Sequence, residues 1–160
     1  MKKKKLLTTR DLIDVLNEDL KNEYKHMLFY LHHAAMVEGL HRFEVREFLL
    51  EEAASEMKHV DEFAQVICGL GGIPTTECND FPKNLTNPVE ILSYALDMES
   101  EVVRNYSMRM RQTEEASDPE ANCVLSISDA SYVHVFMEDN VKDSRKTVDE
   151  LRKILNAYRK

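Results

Sequence analysis

A chain of 160 residues, 43% apolar and 31% charged, has the length of one domain with its own core and is too apolar to stay disordered. Four Gly, four Pro and no Trp argue against a turn-rich β-sandwich or barrel, and a formal net charge of -8 argues against nucleic acid as a partner for the body of the chain. No apolar run reaches the ~18 residues of a membrane span, and Met1–Thr9 lacks the apolar stretch of a secretory signal. The unpaired trio Cys68, Cys78 and Cys123 excludes a disulfide framework and fits a reducing compartment, so a cytoplasmic protein without a membrane segment is expected.

Residues 1–9, with the Lys2–Lys5 run, read as a basic flexible tail, and residues 10–160 as one helical bundle. Thr8-Thr9 offers a cap. From Asp11 to Glu38 there is no Gly or Pro, while Ile13, Leu16, Leu20, Met27, Tyr30, Ala34 and Val37 recur at helical spacing, until Gly39 breaks the run. A second helix spans about Arg42 to Gly69, with Val45, Leu49, Phe63, Val66 and Leu70 on its stripe and Gly71-Gly72 as a stop. Residues 73–87, rich in Pro and Asn/Asp, form a loop. Asn87-Pro88 opens a third helix striped by Leu92, Leu96, Val103, Tyr106 and Met110. A turn at Ser117–Glu120 leads into a fourth, from Pro119 toward Tyr158, with Val124, Ile127, Val141, Val148, Leu151 and Leu155 inward. Short, long and short connections predict an all-α, antiparallel four-helix bundle with one long crossover. Phe43, Phe48 and Phe81 are expected on outer faces that association would bury.

What interrupts the stripes is informative. Glu23 fills the gap between Leu20 and Met27; Glu52 or Ala53, then Glu56 and His59, fill that between Leu49 and Phe63; Glu99 lies between Leu96 and Val103; Ser131, His134 and Glu138 lie between Ile127 and Val141. An unpaired buried carboxylate costs several kcal/mol, comparable with the ~5–15 kcal/mol of net stability of a whole domain. No inward Lys or Arg offers itself near Glu23, Glu56 or Glu99, so a bound metal is the economical counter-charge. Reflecting Glu23 through a turn at Leu40 lands beside Glu56 and His59, and reflecting Glu99 through Ser117 lands beside His134. Glu56-Met57-Lys58-His59 puts a carboxylate and an imidazole on one helical face. Carboxylates with imidazole suit iron or manganese better than a thiolate-loving metal.

These residues resemble the ferritin-like di-iron family, nearest to bacterioferritins and Dps-like relatives. The resemblance rests on Glu23-x6-Tyr30, Glu56-Met57-Lys58-His59 and Glu99-x6-Tyr106, and is strong over about residues 12–110. It implies Glu23 and Glu99 as terminal ligands, Glu56 as a bridging carboxylate, His59 as a ligand, and Tyr30 and Tyr106 as hydrogen-bonding supports. The fourth helix departs from the family's second Glu-x-x-His: the ungapped match is Ser131-Tyr132-Val133-His134, with His134 as ligand and Ser131 in place of the bridging Glu. A one-turn shift instead offers Glu138, with Asp139 beside it. Met57 stands where bacterioferritins bind haem b across a dimer interface. Cys78 resembles a loop cysteine of Dps-like relatives, but its pairing position is Glu101, so no disulfide is expected. His26, His32, His33 and His41 carry no motif and are expected outward or at interfaces. The Lys2–Lys5 run is read as a solubilising terminus in preference to the DNA-contacting tail of some Dps proteins.

The resemblance implies a ferroxidase, oxidising Fe(II) with O2 or H2O2 and storing or detoxifying iron in a homo-oligomeric shell of 12 or 24 subunits. Two competing readings are a catalytically impaired structural or haem-carrying subunit, prompted by the fourth helix, and a rubrerythrin-like peroxide-reducing protein, which lacks support from rubredoxin-type cysteine pairs.

Overall fold

A computed structural model describes residues 7–116 and 125–158. Among the described residues there are four helices and no strand: α1 Thr9–Met36, α2 Arg42–Gly69, α3 Pro88–Ala116 and α4 Ile127–Tyr158. Thr8 closes a capping box with Asp11, each backbone amide donating to the other's side chain at 3.0 Å. Gly71 adopts φ 82°, and the amides of Gly71 and Gly72 fold back onto the carbonyls of Cys68 and Ile67 at 2.9 Å, ending α2. The expected start of the last helix at Pro119 lies outside the described residues. The described helix begins at Ile127, where Ser126 Oγ accepts from the Asp129 amide at 3.0 Å.

α1 packs on α2 and α3 on α4 as two antiparallel hairpins, joined by the long crossover between Gly69 and Pro88. The crossover runs the length of α1 and is tied to it throughout. Asn17 Nδ2 donates to the Ile73 carbonyl (3.1 Å) and its Oδ1 accepts from the Thr75 amide (2.7 Å); Asn79 Nδ2 donates to Asn22 Oδ1 (2.8 Å); the Glu38 amide donates to the Thr86 carbonyl (2.9 Å). Phe81 packs edge-on against Phe29, with ring centroids 6.0 Å apart, so it and the half-buried Phe48 belong to the packing of this chain; of the three phenylalanines expected on outer faces only Phe43 is exposed, at 76%.

Two apolar cores form, one around Leu12, Leu16, Leu20, Phe63, Val102, Tyr106 and Met137, the other around Phe29, Tyr30, Leu49, Leu92, Met98 and Leu151. Between them lies a buried polar layer: Glu23 and His26 of α1, Glu56 and His59 of α2, Glu99 of α3, and Asn140 and Ser144 of α4. Across the seam between the hairpins the backbones approach sparsely, and side chains make the join. Arg109 grips Asp19 through Nε (2.9 Å) and Nη2 (3.3 Å), Tyr30 donates to Glu99 (2.6 Å), and Thr147 donates to Glu52 (3.1 Å). No helix among the described residues is long and apolar enough to cross a membrane.

In α4 the buried face is Ala130, Val133, Met137, Asn140, Ser144, Val148, Leu151 and Leu155, whereas Ile127 is 64% exposed and Val141 only partly covered. Ile127 and Val141 of the expected stripe belong to a neighbouring face, whereas Val148, Leu151 and Leu155 are buried, Val124 lies outside the described residues, and the small polar residues Asn140 and Ser144 complete the buried face.

Gly72 lies where a side chain would collide: a Cβ there meets Ile13 Cγ2 at 2.6 Å and Ile67 Cγ2 at 3.0 Å, whereas at Gly69 it meets nothing within 4 Å. Both isoleucines are stiff at χ1. Gly72→Ala is expected to destabilise the protein by roughly 1–3 kcal/mol, while Gly69→Ala leaves the urea midpoint unchanged or raises it. Equal midpoints for the two variants would refute this account of the crossover's start.

Candidate metal centre

Glu23 and Glu56 are aimed inward because each lies on the apolar stripe of its helix, with apolar residues within two turns on either side. Leu16 and Leu20 precede Glu23 and Tyr30 follows it; Leu49 and Ala53 precede Glu56 and Phe63 follows it. Two triads result. His59 Nδ1 lies 3.1 Å from Glu56 Oε2 and 3.5 Å from Glu23 Oε2. His26 Nδ1 lies 3.4 Å from Glu99 Oε1 and 3.9 Å from Glu56 Oε1. In each triad one ligating atom from every residue lies within 4.8 Å of the others. Glu56 belongs to both, one carboxylate oxygen turned toward each imidazole.

Glu23 Oε2 and Glu99 Oε2 are buried and make no hydrogen bond. Orphaned acceptors of this kind are rare, since each costs the desolvation of a charged group. Spacings of 3.4–3.9 Å exceed the ~2.7–2.9 Å of charge-assisted hydrogen bonds. Metal bonds of about 2.1 Å hold neighbouring ligand atoms about 3.0–3.5 Å apart, so the donor set fits divalent cations.

Tyr30 donates to Glu99 as the resemblance implies, whereas the buried Tyr106 hydroxyl has no hydrogen-bond partner among the described residues and its ring lies 5.6 Å from that of Phe63. His134 is not brought to the layer. Its Nδ1 lies 3.3 Å from the Met110 carbonyl and 3.4 Å from Thr113 Oγ1, and its Nε2 lies 3.8 Å from Glu114, all near the end of α3. Ser131 is exposed, and Glu138 pairs with Lys142 at 2.9 Å on the outer surface, with Asp139 3.6 Å from the same ammonium. The reason is geometric: the midpoint between Ala116 and Ile127 falls near residue 121 or 122, so Glu99 reflects onto about Ser144, some ten residues beyond the expected level. From α4, Asp143 approaches instead, its Oδ2 3.9 Å from His59 Nε2.

His26, expected outward, is 2% exposed and lies within the layer; His33 is also buried, while His41 is exposed. A signal for His26 was present: Glu23-Tyr24-Lys25-His26 repeats on α1 the spacing of Glu56-Met57-Lys58-His59 on α2. Met57 is 62% exposed on the outward side of α2 and by itself carries no argument for haem. Cys68 and Cys78 are free.

Burial raises Glu23 and Glu99, and the neighbouring Glu56 raises them further. Glu56 is held well below the usual carboxylate range, because the nearby His26 and His59, the latter hydrogen-bonded to it at 3.1 Å, outweigh its burial. Burial alone would lower both imidazoles, but their carboxylate partners raise His26 to about 10 and His59 to about 11. Burial pushes Asp19 up to about 6 against the opposing pull of Arg109. Without metal, two imidazolium ions are therefore paired with the carboxylates. Their contribution to stability is complete below the ordinary histidine pKa of ~6.5 and is lost as pH climbs toward the folded values. The melting temperature of metal-free protein should fall steadily from about pH 7 to about pH 10; a flat profile across that range would contradict the pairing.

Residues 13–160 match the Ferritin family, a ferritin-like domain. Among solved structures, the chain is similar to a ferritin-like diiron-carboxylate protein from Bacillus anthracis strain Ames, at 30% identity and a TM-score of 0.76 over 92% of this chain and 96% of that one. It shares its fold with Mycobacterium tuberculosis bacterioferritin BfrA, at 21% identity and a TM-score of 0.73 over 92% and 85% of the two chains. The same holds for a dodecameric thioferritin, the bacterioferritin-related protein of Bacteroides fragilis, at 22% identity and a TM-score of 0.62 over 96% and 94%. No curated protein matches the chain.

Proposed function

Because this chain belongs to the ferritin-like family, we propose that it takes up Fe(II) in the buried carboxylate–imidazole layer, oxidises it and retains it in an oligomeric shell. The observation that carries this reading is the pair of orphaned oxygens, Glu23 Oε2 and Glu99 Oε2, on two carboxylates that each group with Glu56 between two apolar cores. Glu23 and Glu99 act as terminal ligands, Glu56 as the bridge, and His59 as a nitrogen ligand whose far nitrogen is turned toward Asp143. Anionic oxygen ligands favour Fe(III) over Fe(II), so the site lowers the cost of surrendering one electron per iron to O2 or H2O2. Tyr30 fixes Glu99 by its 2.6 Å hydrogen bond.

Exposed Leu40, Phe43, Met57 and Val135 supply apolar surface for association, and the formal charge of -8 suits an assembly that concentrates cations. The rival reading of an impaired subunit draws on α4, which presents Asn140 and Ser144 to the layer where the family has Glu-x-x-His. Turnover separates the two.

Under anaerobic conditions the chain should bind Fe(II), and on admission of oxygen the ferric absorbance should rise at least tenfold faster than in protein-free buffer. Glu56→Ala should abolish binding. Binding without acceleration would favour the impaired subunit, and no binding would refute the iron reading. Light scattering at micromolar concentration should report an assembly many times the 18.6 kDa chain; a monomer would exclude the shell.

A further inference from the structure

The layer contains a buried imidazole that the family pattern does not supply. α1 carries Glu23-x-x-His26 and α2 carries Glu56-x-x-His59, so adjacent antiparallel helices present the same carboxylate–imidazole pair to the same buried layer. His26 is 2% exposed and fixed by packing, its ring edge-on to Tyr30 at 6.5 Å. Its Nδ1 faces Glu99 Oε1 at 3.4 Å and Glu56 Oε1 at 3.9 Å, and the second oxygen of Glu99 has no hydrogen-bond partner. These separations are too long for strong hydrogen bonds and suit three donors around one cation. Glu56 meanwhile turns its other oxygen to His59.

α4 offers no histidine at this level: His134 is engaged with Met110, Thr113 and Glu114 near the end of α3, and the buried residues of α4 opposite the layer are Asn140 and Ser144.

We propose that His26 of α1 is a metal ligand, forming with Glu56 and Glu99 a second divalent-cation position beside that of Glu23, Glu56 and His59, so that both nitrogen ligands of the pair come from the α1–α2 hairpin. This rests on the iron reading above and goes beyond it in assigning the second position.

The test is a metal count on the assembled protein with Co(II), which air does not oxidise under these conditions. Wild type should bind two Co(II) per chain, His26→Gln one, and His134→Gln two, with circular dichroism melts reporting the fold of each variant. Two Co(II) retained by His26→Gln, or one lost by His134→Gln, would overturn the assignment. One Co(II) bound by wild type would overturn it while leaving the iron reading intact, and none would sink both. A second measurement needs no variant. Crystals of wild type soaked in Mn(II) should give two anomalous peaks flanking Glu56, one beside His59 and one beside His26; a second peak at His134, or no second peak, would refute the proposal.

Discussion

The arrangement of the chain follows from one constraint: Glu56 is held within a few ångströms of Glu23 on one side and of Glu99 on the other, where water does not reach. Like charges at such spacing in a poorly polarisable interior repel strongly, and each also forgoes its hydration. Two imidazoles answer them inside the layer, and apolar cores above and below fix the geometry. The cores do not simply surround the site. They confine it to one level of the bundle, so that helix register decides which residues enter.

That dependence explains what could be read in the sequence. The first three helices and the crossover were legible because Gly, Pro and an unbroken apolar period mark them, and because Glu23, Glu56 and Glu99 stand out as charged breaks in apolar stripes. The α1–α2 turn is short, so reflection through it locates His59. The α3–α4 connection is longer than its Ser-Asp-Pro signal suggests, and the same reflection then falls short by about ten residues, near His134 where Ser144 is the true level. Ile127 and Val141 reinforced the error by suggesting an apolar stripe on a neighbouring face. Buried Asn140 and Ser144 offered no contrary signal, because small polar residues are as common on helix surfaces.

His26 was hidden for a different reason. A gap in an apolar stripe is filled by a single polar residue, and Glu23 already fills that one. Residues three apart share a face, so His26 enters the layer with Glu23 and adds nothing to the gap count. Asp19 and Arg109 were missed similarly: an inward arginine at the layer's flank became apparent only once the α1–α3 packing was known.

The seam between the two hairpins gives the bundle a mechanical character. Within each hairpin the helix backbones pack closely, whereas the hairpins are joined chiefly by side chains: the two apolar cores, each drawing on all four helices, together with Asp19–Arg109, Tyr30–Glu99, Thr147–Glu52 and the shared layer. The crossover is fastened along α1, in the first hairpin, so it constrains only the start of α3. At the level of the layer, charge rather than apolar packing therefore holds the two halves together. Any charge that enters or leaves that level changes how tightly the halves clasp there, so the tightness of the seam becomes a gauge of what the interior holds.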